Sequence, residues 1–91
     1  MAKTDFSEIF RALGDGTRYK LMKLLIEKKN ICVSELAEEV NISVAGVSQQ
    51  LKILERAHLI ERAREGQKIC YQIDTGSPKN QKLLKLIELE D

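Results

Sequence analysis

The sequence predicts a mainly α-helical domain of five helices with one β-hairpin, in the order helix, helix, short β segment, helix, helix, strand, strand, helix. The helical segments carry apolar side chains at the three- and four-residue spacing of a helix face, with capping residues at their starts. One further segment has the pattern of two strands joined by a tight turn at Glu65-Gly66-Gln67. With 91 residues, the chain is expected to form a single domain over residues 1–91.

Capping residues and apolar spacing predict the first two helices. Asp5 precedes Glu8 with the spacing of a capping box, and an apolar face follows, so the first helix is expected at about 6–13. Asp15 is suited to accept hydrogen bonds from the free amides that start the second helix, at about 17–28. That helix is apolar on more than one side, which predicts a central position.

The middle of the chain predicts two short helices joined by a tight turn. Residues 31–33 are either a minor strand or merely extended chain, and Ser34 is predicted to start the third helix. Asn41 tolerates the left-handed conformation needed for a tight exit. Ser43 is then placed to cap a fourth helix, whose apolar face consists of Val44, Val47, Leu51 and Leu54.

The last third of the chain predicts a hairpin followed by a leucine-rich helix. His58 is expected to end the fourth helix in the left-handed conformation, and the hairpin covers residues 59–73. Ser77 and Pro78 match the preferred cap and first-turn residues of a final helix, residues 78–90. A chain end so rich in leucine is unusual unless it docks against another surface.

The helix pair over residues 34–57 is a helix-turn-helix pattern, and the hairpin 59–73 follows it as a wing. A helix in the major groove of DNA reads base edges with the exposed residues of its first turns, while a basic hairpin beside it reaches the backbone or the minor groove. The candidate DNA-binding residues are therefore Ser43, Val44, Ala45, Ser48, Gln49, Gln50 and Lys52 on the helix, and Arg64, Gln67 and Lys68 on the wing.

Among these residues, Gln49 is the best candidate for base readout, because a glutamine amide pairs bidentately with adenine. Lys52, Arg64 and Lys68 are expected mainly to position the protein on phosphates. The formal net charge of +1 argues against a highly basic coat protein or tail. A winged-helix module for protein–protein contact stays the alternative, and the salt dependence of binding separates the two readings.

Four motifs occur in order along the chain: FRALGDGTR at 10–18, ICVSELA at 31–37, VSQQLKIL at 47–54 and REG at 64–66. Together they resemble the ArsR family of winged helix-turn-helix repressors. The resemblance implies a homodimer assembled from the first and last helices, and we therefore predict a repressor that binds a palindromic operator in double-stranded DNA. The interface residues expected on this basis are Phe6, Ile9, Phe10, Leu83, Leu84, Leu86 and Ile87.

The sequence departs from this family where its members hold metals. Metal-sensing members often place a pair of cysteines around the third helix, whereas here Ser34 occupies the second place beside Cys32. The last helix contains no histidine, and soft metals bind poorly to carboxylates alone, so Glu88, Glu90 and Asp91 are expected to be solvated. We therefore predict no metal site and no cofactor, and the effector is unknown.

The two cysteines have two possible roles. Cys32 and Cys70 each lie between apolar neighbours, where free cysteine usually behaves as a small buried hydrophobe, so reduced thiols are expected. A redox or thiol-modification sensor that uses both residues is the alternative.

The composition also excludes several classes of protein. No secretory segment opens the chain, and no apolar run has the length of a membrane span, which predicts a soluble cytoplasmic protein. A single histidine, no glycine-rich phosphate loop and no paired carboxylates in an apolar setting argue against an enzyme.

Overall fold

A computed structural model of the protein describes residues 5–90, so the first four residues and Asp91 lie outside it. The elements follow the predicted order and confirm the fold class. They are α1 (Phe6–Leu13), α2 (Gly16–Lys28), β1 (Asn30–Cys32), α3 (Val33–Val40), α4 (Val44–Arg56), β2 (Ile60–Glu65), β3 (Lys68–Ile73) and α5 (Pro78–Glu88). No described helix is long and apolar enough to cross a membrane.

The first two helices begin at the predicted aspartates. The Asp5 carboxylate accepts a hydrogen bond from the backbone N–H of Glu8 at 3.0 Å. The Asp15 carboxylate accepts from the N–H groups of Thr17 and Arg18 at 3.0 and 3.2 Å. Each carboxylate satisfies amides that have no partner within the helix. The central position predicted for α2 is also confirmed, because its side chains at Leu21, Met22 and Leu25 are completely buried.

The segment for which two readings were open is a true strand. β1 pairs antiparallel with β3, and the sheet order is β1-β3-β2, so β3 is central and β1 lies at an edge. Because the extended backbone of β1 runs directly into α3, Cys32 becomes the N-cap, and its N–H donates to the Glu35 carboxylate at 3.2 Å. Ser34 was expected to start this helix, which instead begins one residue earlier, at Val33.

Two helix exits take the left-handed conformation expected of them. Asn41 has φ 58° and His58 has φ 61°, so the structural role predicted for His58 is confirmed. Lys29 also has a positive φ of 71°, at the sharp turn from α2 into β1. The lysine side chain gives no local signal for this conformation.

The inner face of α5 joins the core, and the first turn of this helix is tied to the backbone after α4 and after the hairpin. Leu83 and Ile87 pack into the same core as Leu36, Leu51 and Leu54. The buried Asn80 amide donates to the carbonyls of His58 and Asp74, at 2.8 and 2.7 Å. This side chain therefore fixes the start of α5 against the end of α4 and the end of the hairpin. The helix ends at Glu88, two residues before the predicted boundary.

Candidate nucleic-acid interface

The entry to α4 is tightly built. Ser43 is the N-cap, and its hydroxyl accepts from the N–H of Gly46 at 3.0 Å. A Cβ at Gly46 would lie 2.9 Å from Cγ2 of Ile42 and 3.1 Å from the Ser43 hydroxyl. A larger residue here would have to displace the Ile42 side chain or the capping hydroxyl of Ser43. The first turn is thereby fixed with Val44 and Ala45 exposed to solvent.

α4 has an inner and an outer face, and three of the four residues expected on its apolar face are buried; Val44, the fourth, is exposed because it lies in the first turn, beyond the core. Val47, Leu51 and Leu54 are completely buried. Gln49 and Lys52 are exposed on the outer face, and Ser48 is half-buried beside them. The outer face thus offers an amide, a hydroxyl and an ammonium group on a helix held firmly from behind.

Gln50 occupies a different position from the other candidates. It is half-buried, and its amide oxygen accepts a hydrogen bond from Nη1 of Arg18 at 2.8 Å. Nε of Arg18 donates to the carbonyl of Ala12 at 2.6 Å. One guanidinium therefore joins the end of α1 to the middle of α4, and the amide oxygen of Gln50 serves this internal contact.

No role was predicted for Arg18, which is 32 residues from Gln50. Its position in the motif at 10–18 was the available signal, but a motif does not name a contact across that distance. Because a guanidinium is always charged and offers several donors, it suits a position where two helices must be linked.

The wing is a regular hairpin with a charged tip. Gly66 has a φ of 63° in the turn, a conformation that glycine adopts without steric cost. Glu65 pairs with Lys68 at the last register position. The three wing residues singled out from the sequence, Arg64, Gln67 and Lys68, are all exposed.

Contacts around Glu55 fasten the wing to α4. The Glu55 carboxylate accepts from Nη2 of Arg62 at 3.3 Å and from the hydroxyl of Tyr71 at 3.4 Å. Burial raises the pKa of the Tyr71 phenol, and the neighbouring Glu55 carboxylate raises it further, so the phenol stays protonated as a donor. The hairpin is therefore attached to the carboxyl-terminal part of α4 through both of its strands.

The residues expected at a dimer interface divide into two groups. Ile9, Leu83 and Ile87 are buried in the core of the chain itself, so their side chains are not available to a second copy. Leu84 is partly buried against that core. Phe6, Phe10 and Leu86 are about half exposed, and Leu89, which the sequence analysis did not include, is 79% exposed. Fewer residues are therefore available for the expected interface, because the inner faces of α1 and α5 already pack against the core of the same chain.

The first turn of α5 lies beside α1. The rings of Phe6 and Phe10 stack with their centroids 6.0 Å apart. Nζ of Lys79, in the first turn of α5, lies 5.3 Å from the centroid of the Phe6 ring. We define the apolar patch as Phe6, Phe10, Leu86 and Leu89.

One of the carboxylates expected to be solvated at the chain end, that of Glu90, has hydrogen-bond partners. Glu90 accepts hydrogen bonds from the hydroxyl of Tyr19 and from Nζ of Lys23, the second at 3.1 Å. The bond from Tyr19 and then that from Lys23 hold the pKa of Glu90 below its ordinary value near 4.5. The end of the described chain is therefore tied to α2. Asp91, the last of the three carboxylates, is outside the described residues.

The expectation of reduced thiols is wrong for this structure, because Cys32 and Cys70 form a disulfide. The two residues are directly opposite in the pairing of β1 with β3. Cys70 is completely buried and Cys32 partly so. Their pairing could not be predicted from spacing, because they lie 38 residues apart and β1 had no assigned partner strand.

Glu65 lies beside this disulfide. One of its carboxylate oxygens and the two sulfur atoms lie within 4.8 Å of one another, a grouping that could offer three ligands to a metal ion. The Glu65 carboxylate also accepts from the Asn30 amide at 2.6 Å. Thiolates, not disulfide sulfurs, bind soft metals, so this group is not a metal site while the bond is intact.

Comparison with known proteins agrees with the geometry. Residues 15–62 match the family described as "Bacterial regulatory protein, arsR family". An uncharacterised HTH-type transcriptional regulator of Methanocaldococcus jannaschii is 33% identical over 82 residues, which cover 90% of each chain. The transcriptional repressor SdpR of Bacillus subtilis is 36% identical over 69 residues, 76% of each chain.

The same fold occurs in a solved structure of low sequence similarity. The homodimeric winged helix-turn-helix DNA-binding domain Mb0332 of Mycobacterium bovis superposes with a TM-score of 0.79 at 24% identity. The match covers 92% of this chain and 75% of that one.

Proposed function

Because the chain belongs to the arsR family of bacterial regulatory proteins, we propose that it is a transcriptional repressor that binds a palindromic operator as a homodimer. The observation that carries the proposal is the outer face of α4, where Ser48, Gln49 and Lys52 stand on a helix whose other side is buried. The relative from Bacillus subtilis is itself described as a transcriptional repressor. No catalytic role is proposed.

In this proposal, the exposed candidate residues on α4 and the wing each make a contact to DNA. The amide of Gln49 pairs with an adenine in the major groove, and the small apolar side chains of Val44 and Ala45 allow close approach to a thymine methyl group. Lys52, with Arg64 and Lys68 on the wing, holds phosphates. Ser43, Ser48 and Gln67 make polar contacts to the DNA backbone or to base edges. Gln50 supports α4 inside the protein through its contact with Arg18.

The apolar patch supports the homodimer. Four large apolar side chains are exposed on α1, on α5 and just after the end of α5, and α1 and α5 are the helices expected to meet across the interface. The solved Mb0332 domain is described as homodimeric. Two copies related by a two-fold axis would place their α4 helices in successive major grooves, about 34–36 Å apart. We place the protein in the cytoplasm, together with its operator DNA. The proposed activity requires no bound metal.

Selection of bound DNA from a random pool tests this proposal. The full chain should enrich a palindrome, and Gln49→Ala should lose discrimination at one position of each half-site, at a cost of about 1–3 kcal/mol for the favoured base. Lys68→Ala should weaken binding to all sequences alike. Lys20→Ala is the matched control, since Lys20 is an exposed cation on α2 and is not among the candidate DNA-binding residues.

Two results would contradict the proposal. The first is enrichment of no sequence by the full chain. The second is an identical base preference for the full chain and Gln49→Ala, which would remove α4 from the reading of bases.

A further inference from the structure

We propose that the Cys32–Cys70 pair is a reversible thiol–disulfide site whose oxidation state sets the affinity for DNA, an inference that rests on the function proposed above. Cys32 is the last residue of β1 and also the N-cap of α3, the first helix of the helix-turn-helix. Cys70 lies within β3, two residues after Lys68 on the wing. The bond therefore joins the start of the helix-turn-helix to the strand that carries Lys68 of the wing.

The two cysteines differ in their place in the sheet, and this difference sets the order in which they react. Cys32 is partly exposed, whereas Cys70 is completely buried between β1 and β2. Because β1 is an edge strand and β3 is central, local opening of the sheet edge brings the Cys32 sulfur into contact with a reagent before that of Cys70, which reacts only with its partner. This is the arrangement of an attacked cysteine and a resolving cysteine.

Thiol–disulfide exchange with small dithiols and disulfides balances the reaction. In reduction, a thiolate of a small dithiol attacks the Cys32 sulfur, and Cys70 leaves as a thiolate. The second thiol of the reagent then displaces Cys32, so the reagent becomes a cyclic disulfide and its two protons pass to the protein thiols. In oxidation, the Cys32 thiolate attacks a small disulfide and releases one thiolate from it. The Cys70 thiolate then displaces the second from the mixed disulfide.

Breaking the bond must move one part of the sheet. Two unbonded sulfur atoms stay farther apart than two bonded ones because their van der Waals surfaces cannot overlap. Cys70 is held by pairing on both sides, opposite Cys32 on one neighbour and Ala63 on the other. β1 is an edge strand and continues directly into α3. The adjustment therefore falls on β1 and the start of α3, so reduction loosens the helix-turn-helix relative to the wing.

The test compares the full chain in an oxidising glutathione buffer and in dithiothreitol. Alkylation followed by intact-mass measurement counts free thiols, and fluorescence anisotropy measures affinity for DNA selected separately in each buffer. We expect no adducts and tight binding in the first buffer. In the second we expect two adducts and an affinity lower by about 5- to 150-fold, the usual range of coupling between two sites. Return to the oxidising buffer should restore the affinity.

The variant Cys32→Ser/Cys70→Ser is the control, and its affinity should be the same in both buffers. Since the wild-type chain carries the comparison, a variant that fails to fold leaves the test intact. Two adducts in the oxidising buffer, or equal wild-type affinities in both buffers, would overturn the inference. So would a reduced protein that releases DNA only when Cd²⁺ is added, because that result assigns the thiols and Glu65 to a metal.

The outcomes also separate this inference from the proposed function. Equal, tight binding in both buffers leaves the repressor intact and removes only the thiol site. Absence of DNA binding in both buffers refutes the repressor, and with it the regulation, while the alkylation result still reports whether the disulfide forms.

Discussion

Reduction of the Cys32–Cys70 disulfide should lower the stability of the protein by an amount that can be worked out from the fold. The bond closes a loop with a sequence separation of 38 residues. On the chain-entropy account, a cross-link over that separation removes enough disorder from the unfolded chain to stabilise the fold by about 4 kcal/mol at 25 °C. With a urea dependence of about 1–3 kcal/mol per molar, the unfolding midpoint should fall by about 1–4 M on reduction.

The assay is urea unfolding of the oxidised and reduced full chain, followed by circular dichroism at equal protein concentration. Equal concentration matters because dimerisation itself stabilises the folded state by mass action. The variant Cys32→Ser/Cys70→Ser should unfold at one midpoint with or without reductant. A wild-type shift below about 0.3 M, which is less than about 1 kcal/mol, would refute the reasoning.

Three further predictions follow from contacts outside the disulfide. Arg18→Ala should destabilise the fold by about 1–3 kcal/mol, because it leaves the Ala12 carbonyl and the Gln50 amide oxygen without their donor. A double-mutant cycle with Gln50→Ala, measured by urea unfolding, should give a coupling energy of at least about 0.5 kcal/mol. Strictly additive losses of stability would contradict a direct contact between Arg18 and Gln50. Phe10→Glu should convert the dimer to a monomer in sedimentation velocity, whereas Lys20→Glu should not; an unchanged dimer would exclude α1 from the interface. Since folding lowers the pKa of Glu90, the contribution of this carboxylate to stability is present above about pH 4.5 and is lost as the pH falls through the lowered value. In Glu90→Gln, the urea unfolding midpoint should therefore depend less on pH between about pH 6 and 3 than it does in the wild type. Identical pH profiles for the two proteins would contradict this.

Local features of the fold were predictable because each depends on a few neighbouring residues. Asp5 and Asp15 cap their helices through amides within three residues. Asn41 and His58 take the left-handed conformation that their side chains tolerate. The outer face of α4 follows directly from the spacing of its buried residues. Most of the candidate DNA-binding residues could therefore be located on exposed positions of α4 and the wing from the sequence.

Features that depend on distant pairing were not predictable in the same way. The pairing of β1 with β3 sets the start of α3 and brings Cys32 to Cys70, yet no residue near Cys32 specifies its partner strand. The Arg18–Gln50 contact depends on how α2 crosses α4, and the burial of Ile9 and Leu83 depends on which side of each helix meets the core. Apolar spacing identifies a buried face, but it does not tell whether the same chain or a second copy covers it.

The salt dependence of operator binding tests the central claim most directly. Three exposed cations on each protomer, Lys52, Arg64 and Lys68, are proposed to contact phosphates, so a dimer makes six such contacts. Each neutralised phosphate releases condensed counterion, and a plot of log K against log salt concentration should therefore have a slope of about −5. Lys68→Ala should reduce the steepness by about 2, because it removes one contact from each protomer. Binding that is indifferent to salt would contradict the account and favour a module for protein–protein contact.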